Sequence, residues 1–274
     1  MDPHASPNAP LPDVPSAERT VREAGDVSLH VVTAGDPEDP LAVLLHGFPE
    51  FWYSWHHQIP ALAEAGYRVV APDLRGYNRS EKPDGVDAYR LEKLVGDVVG
   101  LIEHCGRERA HVVGHDWGGL IAWQVGIDRP EVVDRLAVLN APHPTRYQRH
   151  LRSSPAQLAK SWYVFYFQLP VLPELGFRLN DYAVLESTLS DTVRPDAFTD
   201  EDVERYKSAL ATPGALTAAI NYYRALGRQR ARSILTGGGI DEQRVEVPTL
   251  LVWGQRDFAL DVALTEDLDG LVPD

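Results

Sequence analysis

The sequence predicts an α/β fold: a mostly parallel central sheet, helices on both faces, and a helical cap inserted between two parts of the sheet. Three observations predict it. Short, wholly apolar runs recur along the chain, as at residues 41–45, and such runs suit strands buried on both faces. Helical periodicity alternates with these runs, the pattern of βα repeats. From about residue 149 to residue 245 the alternation stops, and helix formers and aromatic residues replace it.

The elements follow in order. Residues 1–18 read as a disordered Pro-rich tail, with five prolines before residue 17 and almost nothing to bury. The first part of the core spans 19–148. It opens with a hairpin over 19–33 that turns at Gly25-Asp26. Strands are expected at 41–45, 68–71, 110–114 and 136–139. Leu91, Leu94, Val95, Val98, Val99 and Ile102 share one helical face. The cap is expected over 149–245, with Gly237-Gly238-Gly239 as a return loop. The second part of the core, 246–274, holds a strand at 248–253 and reads as incomplete.

Composition narrows the function. With 274 residues the chain can bury a large core. A net charge of −14 argues against nucleic acid and against an anionic membrane surface, since both need a basic face. The single cysteine, Cys105, can form no intramolecular disulfide. The N-terminus lacks the features of a signal peptide, and no apolar run of membrane length occurs, so a cytoplasmic location is expected. Neither a metal-ligand cluster nor a dinucleotide loop appears, so no metal and no cofactor is expected.

The most informative segment is A-H-V-V-G-H-D-W-G-G, residues 110–119. It has the form Gly-x-nucleophile-x-Gly between a strand and a helix starting near Trp117, which is a nucleophile elbow. Asp116 occupies the nucleophile position. The competing reading is a helix-capping Asp after an ordinary turn. His46-Gly47-Phe48-Pro49-Glu50 directly follows the 41–45 strand. A loop there supplies one backbone N–H of an oxyanion hole, from about Phe48, and Trp117 supplies the other. Gly47 allows close backbone approach and Pro49 fixes the loop. Taken alone, H-G-F-P is also compatible with a structural turn. Lastly, P-T-L-L-V-W-G-Q-R-D, 248–257, is a strand, a Gly turn and then Asp257, where a triad acid belongs. A plain turn Asp is the alternative.

In order and spacing these segments resemble the α/β-hydrolase superfamily, and within it the soluble epoxide hydrolases, over roughly residues 20–272. H-G-F-P-E-F-W-Y-S-W (46–55), P-D-L-R-G-Y (72–77), G-H-D-W-G-G (114–119), N-A-P-H-P (140–144) and G-Q-R-D-F-A-L (254–260) carry the resemblance. It implies opening of epoxides to vicinal diols through an alkyl-enzyme ester on Asp116, with two cap tyrosines donating to the epoxide oxygen. The candidates are Tyr163 or Tyr166 and Tyr222 or Tyr223. The resemblance favours Tyr163 and Tyr223, and the helical spacing of Tyr223 with Leu216 and Ile220 points it inward. Packing of cap on core would also account for any one of these rings. His46, Pro49, Tyr166 and Phe167 complete the expected substrate pocket.

The nucleophile type selects the chemistry. A carboxylate is charged at pH 7 and attacks an alkyl carbon without a base. Epoxides and alkyl halides both fit, so a haloalkane dehalogenase is the alternative. Phe48 in place of an amide side chain speaks for the epoxide. The expected partners are a small hydrophobic epoxide and water.

The chain departs from the resemblance at its end. It has ten histidines, the last is His150, and none follows Asp257. The water-activating histidine is therefore missing, and hydrolysis of the ester is expected to be impaired. The expectation is a fragment of a longer protein, with 248–253 as an exposed sheet edge. A non-catalytic small-molecule binder is the reading from a different class.

Overall fold

The structure is a computed structural model that describes Val14, residues 17–190, Arg194 and residues 197–272. Seven strands form one sheet: β1 (Glu18–Ala24), β2 (Val27–Ala34), β3 (Leu41–Leu45), β4 (Arg68–Pro72), β5 (Ala110–His115), β6 (Val133–Leu139) and β7 (Thr249–Val252). Their spatial order is β1-β2-β4-β3-β5-β6-β7. β1 pairs antiparallel with β2, and β2 antiparallel with β4; every other pairing is parallel. The predicted α/β fold is thus the observed one.

All five residues of β3 are buried, which is why its sequence is continuously apolar rather than alternating. It lies between β4 and β5, so the two loops that leave the carboxyl ends of β3 and β5 are neighbours. The helices of the first core part are α1 (Gln58–Glu64), α2 (Leu91–His104) and α3 (Trp117–Asp128). In α2 the periodic residues Leu94, Val95, Val98, Val99 and Ile102 are buried. Each such side chain contributes roughly 1.5–3 kcal/mol relative to exposure. One polar residue, Asp97, is buried on the same helix. Arg75 bonds it through Nε at 2.8 Å and also reaches Asp26, so the hairpin turn, the 72–77 loop and α2 are tied together. Burial nevertheless pushes the Asp97 carboxyl up to about 6, against the pull of Arg75.

The cap is helical: α4 (Pro144–Ser153), α5 (Pro155–Lys160), α6 (Trp162–Tyr166), α7 (Leu172–Arg178), α8 (Ala183–Ser190), α9 (Asp200–Ala211) and α10 (Ala215–Leu235). The expected boundary at 148/149 falls inside α4, because Pro144 at the first turn already starts that helix. α10 begins after Gly214, which takes the left-handed conformation at φ 84°. The tail prediction lies mostly outside the described residues. Within them it needs correction: Glu18 belongs to β1, and Val14 is fully buried. β7 is the outermost strand, and Leu250 and Val252 on it are exposed, as expected of an edge. Among the described residues no helix is long and apolar enough to cross a membrane.

Candidate active site

Asp116 is the one residue between β5 and α3. Its backbone sits at φ 50°, ψ −116°, a conformation that side-chain-bearing residues avoid. Close approach of three backbone segments holds it there. A Cβ on Gly114 would lie 2.2 Å from the Gly118 carbonyl oxygen, and one on Gly118 would lie 2.1 Å from that of Leu45. A Cβ on Gly119 would lie 2.4 Å from the Ala141 methyl. The glycine spacing is therefore a packing requirement. Although Asp116 occupies the capping position of α3, its side chain makes no capping hydrogen bond, so the helix-cap reading fails.

The carboxylate points instead at the β3 loop. Its Oδ1 accepts the Phe48 N–H at 2.8 Å, and the backbone N–H groups of Phe48 and Trp117 both favour its charged form. Of the two expected donors, Phe48 makes a direct hydrogen bond to the Asp116 carboxylate. Gly47 lies flush against it: a Cβ there would meet the Asp116 Cβ at 2.5 Å and Oδ1 at 2.8 Å. We expect Gly47→Ala to displace the loop and slow attack by Asp116 at least about 100-fold, the scale of losing one oxyanion donor. Single-turnover kinetics on a variant with unchanged circular dichroism check this.

Glu50 was given no role from sequence, yet it organises the loop. Its Oε2 accepts the Gly47 N–H at 2.7 Å and pairs with His115 Nδ1 at 3.1 Å. Burial opposes its charge, but His115 and the Gly47 N–H hold its carboxyl down at about 2. The His115 imidazole is raised to about 9: burial works against its charge, and the carboxylates of Glu50, Asp116 and Asp257 overcome it. Burial raises the Asp116 carboxyl to about 6, opposed by His115 and by the N–H groups of Phe48 and Trp117.

Aromatic rings roof the carboxylate. Tyr163 on α6 and Tyr223 on α10 meet edge to face with centroids 6.0 Å apart. Tyr223 lies edge-on to Trp117 at 4.9 Å and to Phe48 at 5.6 Å. Burial, and then the Asp116 charge, push both phenols above their ordinary range. Phe167 is buried between Tyr223 and Phe48. Pro49, half-buried, follows Phe48 through a cis bond.

The alternatives left open by sequence separate here. The Tyr222 hydroxyl donates to the Arg75 carbonyl at 2.7 Å, so it ties the cap to the core. The Tyr166 hydroxyl donates to the Leu172 carbonyl at 3.0 Å, within the cap. Tyr166 therefore departs from its expected place in the pocket. His46 departs too. It is fully buried, its Nδ1 donates to the Gly47 carbonyl at 2.8 Å, and its Nε2 accepts the Leu74 N–H at 3.0 Å. Both ring nitrogens hold loops together.

Asp257 follows β7, in the chain order expected of the acid. Its Oδ2 accepts from Asn140 Nδ2 at 2.6 Å, and its Oδ1 accepts the N–H groups of Ala259 and Leu260. The charge of Asp257 is felt at both His115 and Tyr163. Asn140, which opens N-A-P-H-P, was missed; its Oδ1 also accepts the Gly254 N–H and so fixes the acid's loop. His143 of the same motif is fully buried edge-on to Trp123, with neither ring nitrogen partnered among the described residues. No group of three or more His, Cys, Asp or Glu side chains able to hold a metal occurs among the described residues.

This geometry agrees with what the chain is similar to. The sequence profile of the alpha/beta hydrolase fold family matches residues 40–274. A curated Bacillus subtilis protein, AB hydrolase superfamily protein YfhM, is 46% identical over 248 residues, which cover 90% of this chain and 84% of that one. Human epoxide hydrolase 4 is 38% identical over 251 residues, covering 90% of this chain and 67% of that one. Among solved structures, a mutant epoxide hydrolase from Bacillus megaterium, complexed with its naphthyloxy-propanediol product, superposes with a TM-score of 0.84 at 30% identity. That match covers 93% of this chain and 89% of the other.

Proposed function

The chain belongs to the alpha/beta hydrolase fold family and is an epoxide-hydrolase-like member of it, and from that premise we propose that it opens hydrophobic epoxides through a covalent ester on Asp116. The observation that carries this reading is the Asp116 carboxylate, with Oδ1 held by the Phe48 N–H beneath the buried phenol of Tyr223 and the half-buried phenol of Tyr163. Oδ2 attacks one epoxide carbon, the carbon–oxygen bond of the ring breaks, and the hydroxyls of Tyr163 and Tyr223 donate to the oxygen that leaves. Because both phenols stay protonated, they are available as donors at neutral pH. Water then attacks the ester carbonyl, whose oxygen already occupies the hole formed by Phe48 and Trp117. The diol leaves and the carboxylate is restored. Asp257, at the end of β7, is the acid that would orient a base for this second step.

Deacylation needs a base to take a proton from water. His115 is the imidazole beside Asp116, and with its pKa at about 9 it already carries its proton at neutral pH. The ester should therefore accumulate. Intact mass after incubation with a naphthyl glycidyl ether should show one adduct, mapping to Asp116. An unmodified mass in a folded sample that also forms no diol refutes the proposal and favours a non-catalytic binder. An adduct from a bromoalkane but not from the epoxide would favour a dehalogenase.

The pH profile of alkylation is a second test. Only ionised Asp116 attacks, so the rate falls as pH drops through about 6. From pH 7 to pH 5 the initial rate of adduct formation should fall about tenfold. A carboxyl at its ordinary value would lose almost nothing over that range.

A further inference from the structure

At the opposite end of the sheet from Asp116 lies a second cavity of about 360 Å³. Leu41 and Arg68, the first residues of β3 and β4, mark its floor, and the carboxyl end of α2 forms its wall. Arg22, Arg68, Arg107 and His104 line it, and no acidic side chain does. In a chain with 40 acidic and 26 basic residues, such one-signed lining is unexpected. All three guanidinium groups act electrostatically on the Cys105 thiol, and Cys105 lines the same cavity.

None of the three arginines has a carboxylate partner among the described residues. Arg68 donates to the Gly35 carbonyl at 2.7 Å, and Arg107 donates to the Pro37 carbonyl at 2.6 Å. These bonds staple the β2–β3 loop and account for two of the charges. They do not account for Arg22, which has no hydrogen bond or ion pair among the described residues. Nor do they account for Thr33. That residue is only 3% exposed and lines the cavity, and its hydroxyl has no partner among the described residues. A buried hydroxyl left unbonded is destabilising, and a ligand oxygen would relieve it. Arg22 and Thr33 share a sheet face, because Arg22 pairs with Leu29 and Thr33 lies four residues further along β2.

We propose that this cavity binds a small phosphate-bearing molecule, with Arg22, Arg68 and Arg107 on the phosphate oxygens and the Thr33 hydroxyl completing their coordination. Guanidinium forks match tetrahedral oxyanions, and charge-assisted bonds of this kind are roughly twice as strong as neutral ones. The volume falls within the roughly 300–1,000 Å³ of small-ligand pockets, which leaves room for an organic group on the phosphate.

Calorimetric titration of the whole chain with inorganic phosphate and with phenyl phosphate tests the site. One-to-one binding is expected, tighter for phenyl phosphate. Arg22→Ala should weaken it at least about tenfold, or 1.4 kcal/mol. Thr33→Val should weaken it about three- to tenfold through loss of one hydrogen bond. Neither variant should change the rate of adduct formation at Asp116, because the two sites lie at opposite ends of the sheet. No saturable binding up to about 10 mM phosphate overturns the proposal, as does binding that Arg22→Ala and Thr33→Val both leave intact.

Discussion

The Asp116→Ala variant should form no covalent adduct with an aromatic epoxide, and its epoxide-opening rate should fall by about 10⁴-fold or more. The magnitude follows from removing the nucleophile itself, a loss no neighbouring group replaces. Glu50 is the nearest candidate substitute, but its carboxylate is spent on the Gly47 N–H and His115. Loss of activity should not reflect loss of fold. The Asp116 carboxyl is raised to about 6, so the folded state favours its protonated form, and its charge costs stability above that pH. Removing the carboxyl should therefore leave the melting temperature at pH 8 equal to or above that of the parent. An adduct that persists in the variant would place the nucleophile elsewhere.

Replacing both Tyr163 and Tyr223 by Phe should slow adduct formation by about 10²–10⁴-fold, with each single variant falling in between. Two phenol donors to a developing alkoxide are worth about 1.5–3 kcal/mol each. The double variant keeps the aromatic packing that joins Tyr223 to Trp117, Phe48 and Phe167, so it should remain folded. Tyr166→Phe supplies the contrast. Its hydroxyl serves the Leu172 carbonyl, so its loss should leave the alkylation rate unchanged. A double variant as fast as the parent would show that the epoxide oxygen finds its proton elsewhere.

Which parts of the site were legible in sequence follows from what fixes each residue. The tight turn around Asp116 was legible because close packing demands glycine at 47, 114, 118 and 119, and that demand leaves a spaced pattern in the chain. Asp257 was readable because it ends an apolar run. Tyr222 and Tyr223 could not be separated by helical spacing alone. The decision rests on the Arg75 carbonyl, 147 positions away, which accepts the Tyr222 hydroxyl. Glu50 and Asn140 went unassigned for a related reason. Their importance lies in bonds across the fold, to His115 and to Asp257, and no local periodicity marks them. His46 misled in the opposite direction. It was expected to line the substrate pocket, whereas its two nitrogens bind backbone groups of two loops.

The first half of α10 sits against the core so closely that a Cβ on Gly76 would meet the Ala218 methyl at 2.6 Å. Tyr222 latches that half to Arg75 in the core, and its neighbour Tyr223 faces the nucleophile. By contrast, Trp162 and Phe165, on either side of Tyr163 in α6, are exposed. One phenol thus rides on the frame and the other on the leaf of a door. Tyr223 therefore sits on a helix fixed to the core, and Tyr163 on a helix that exposes Trp162 and Phe165 on its outer side.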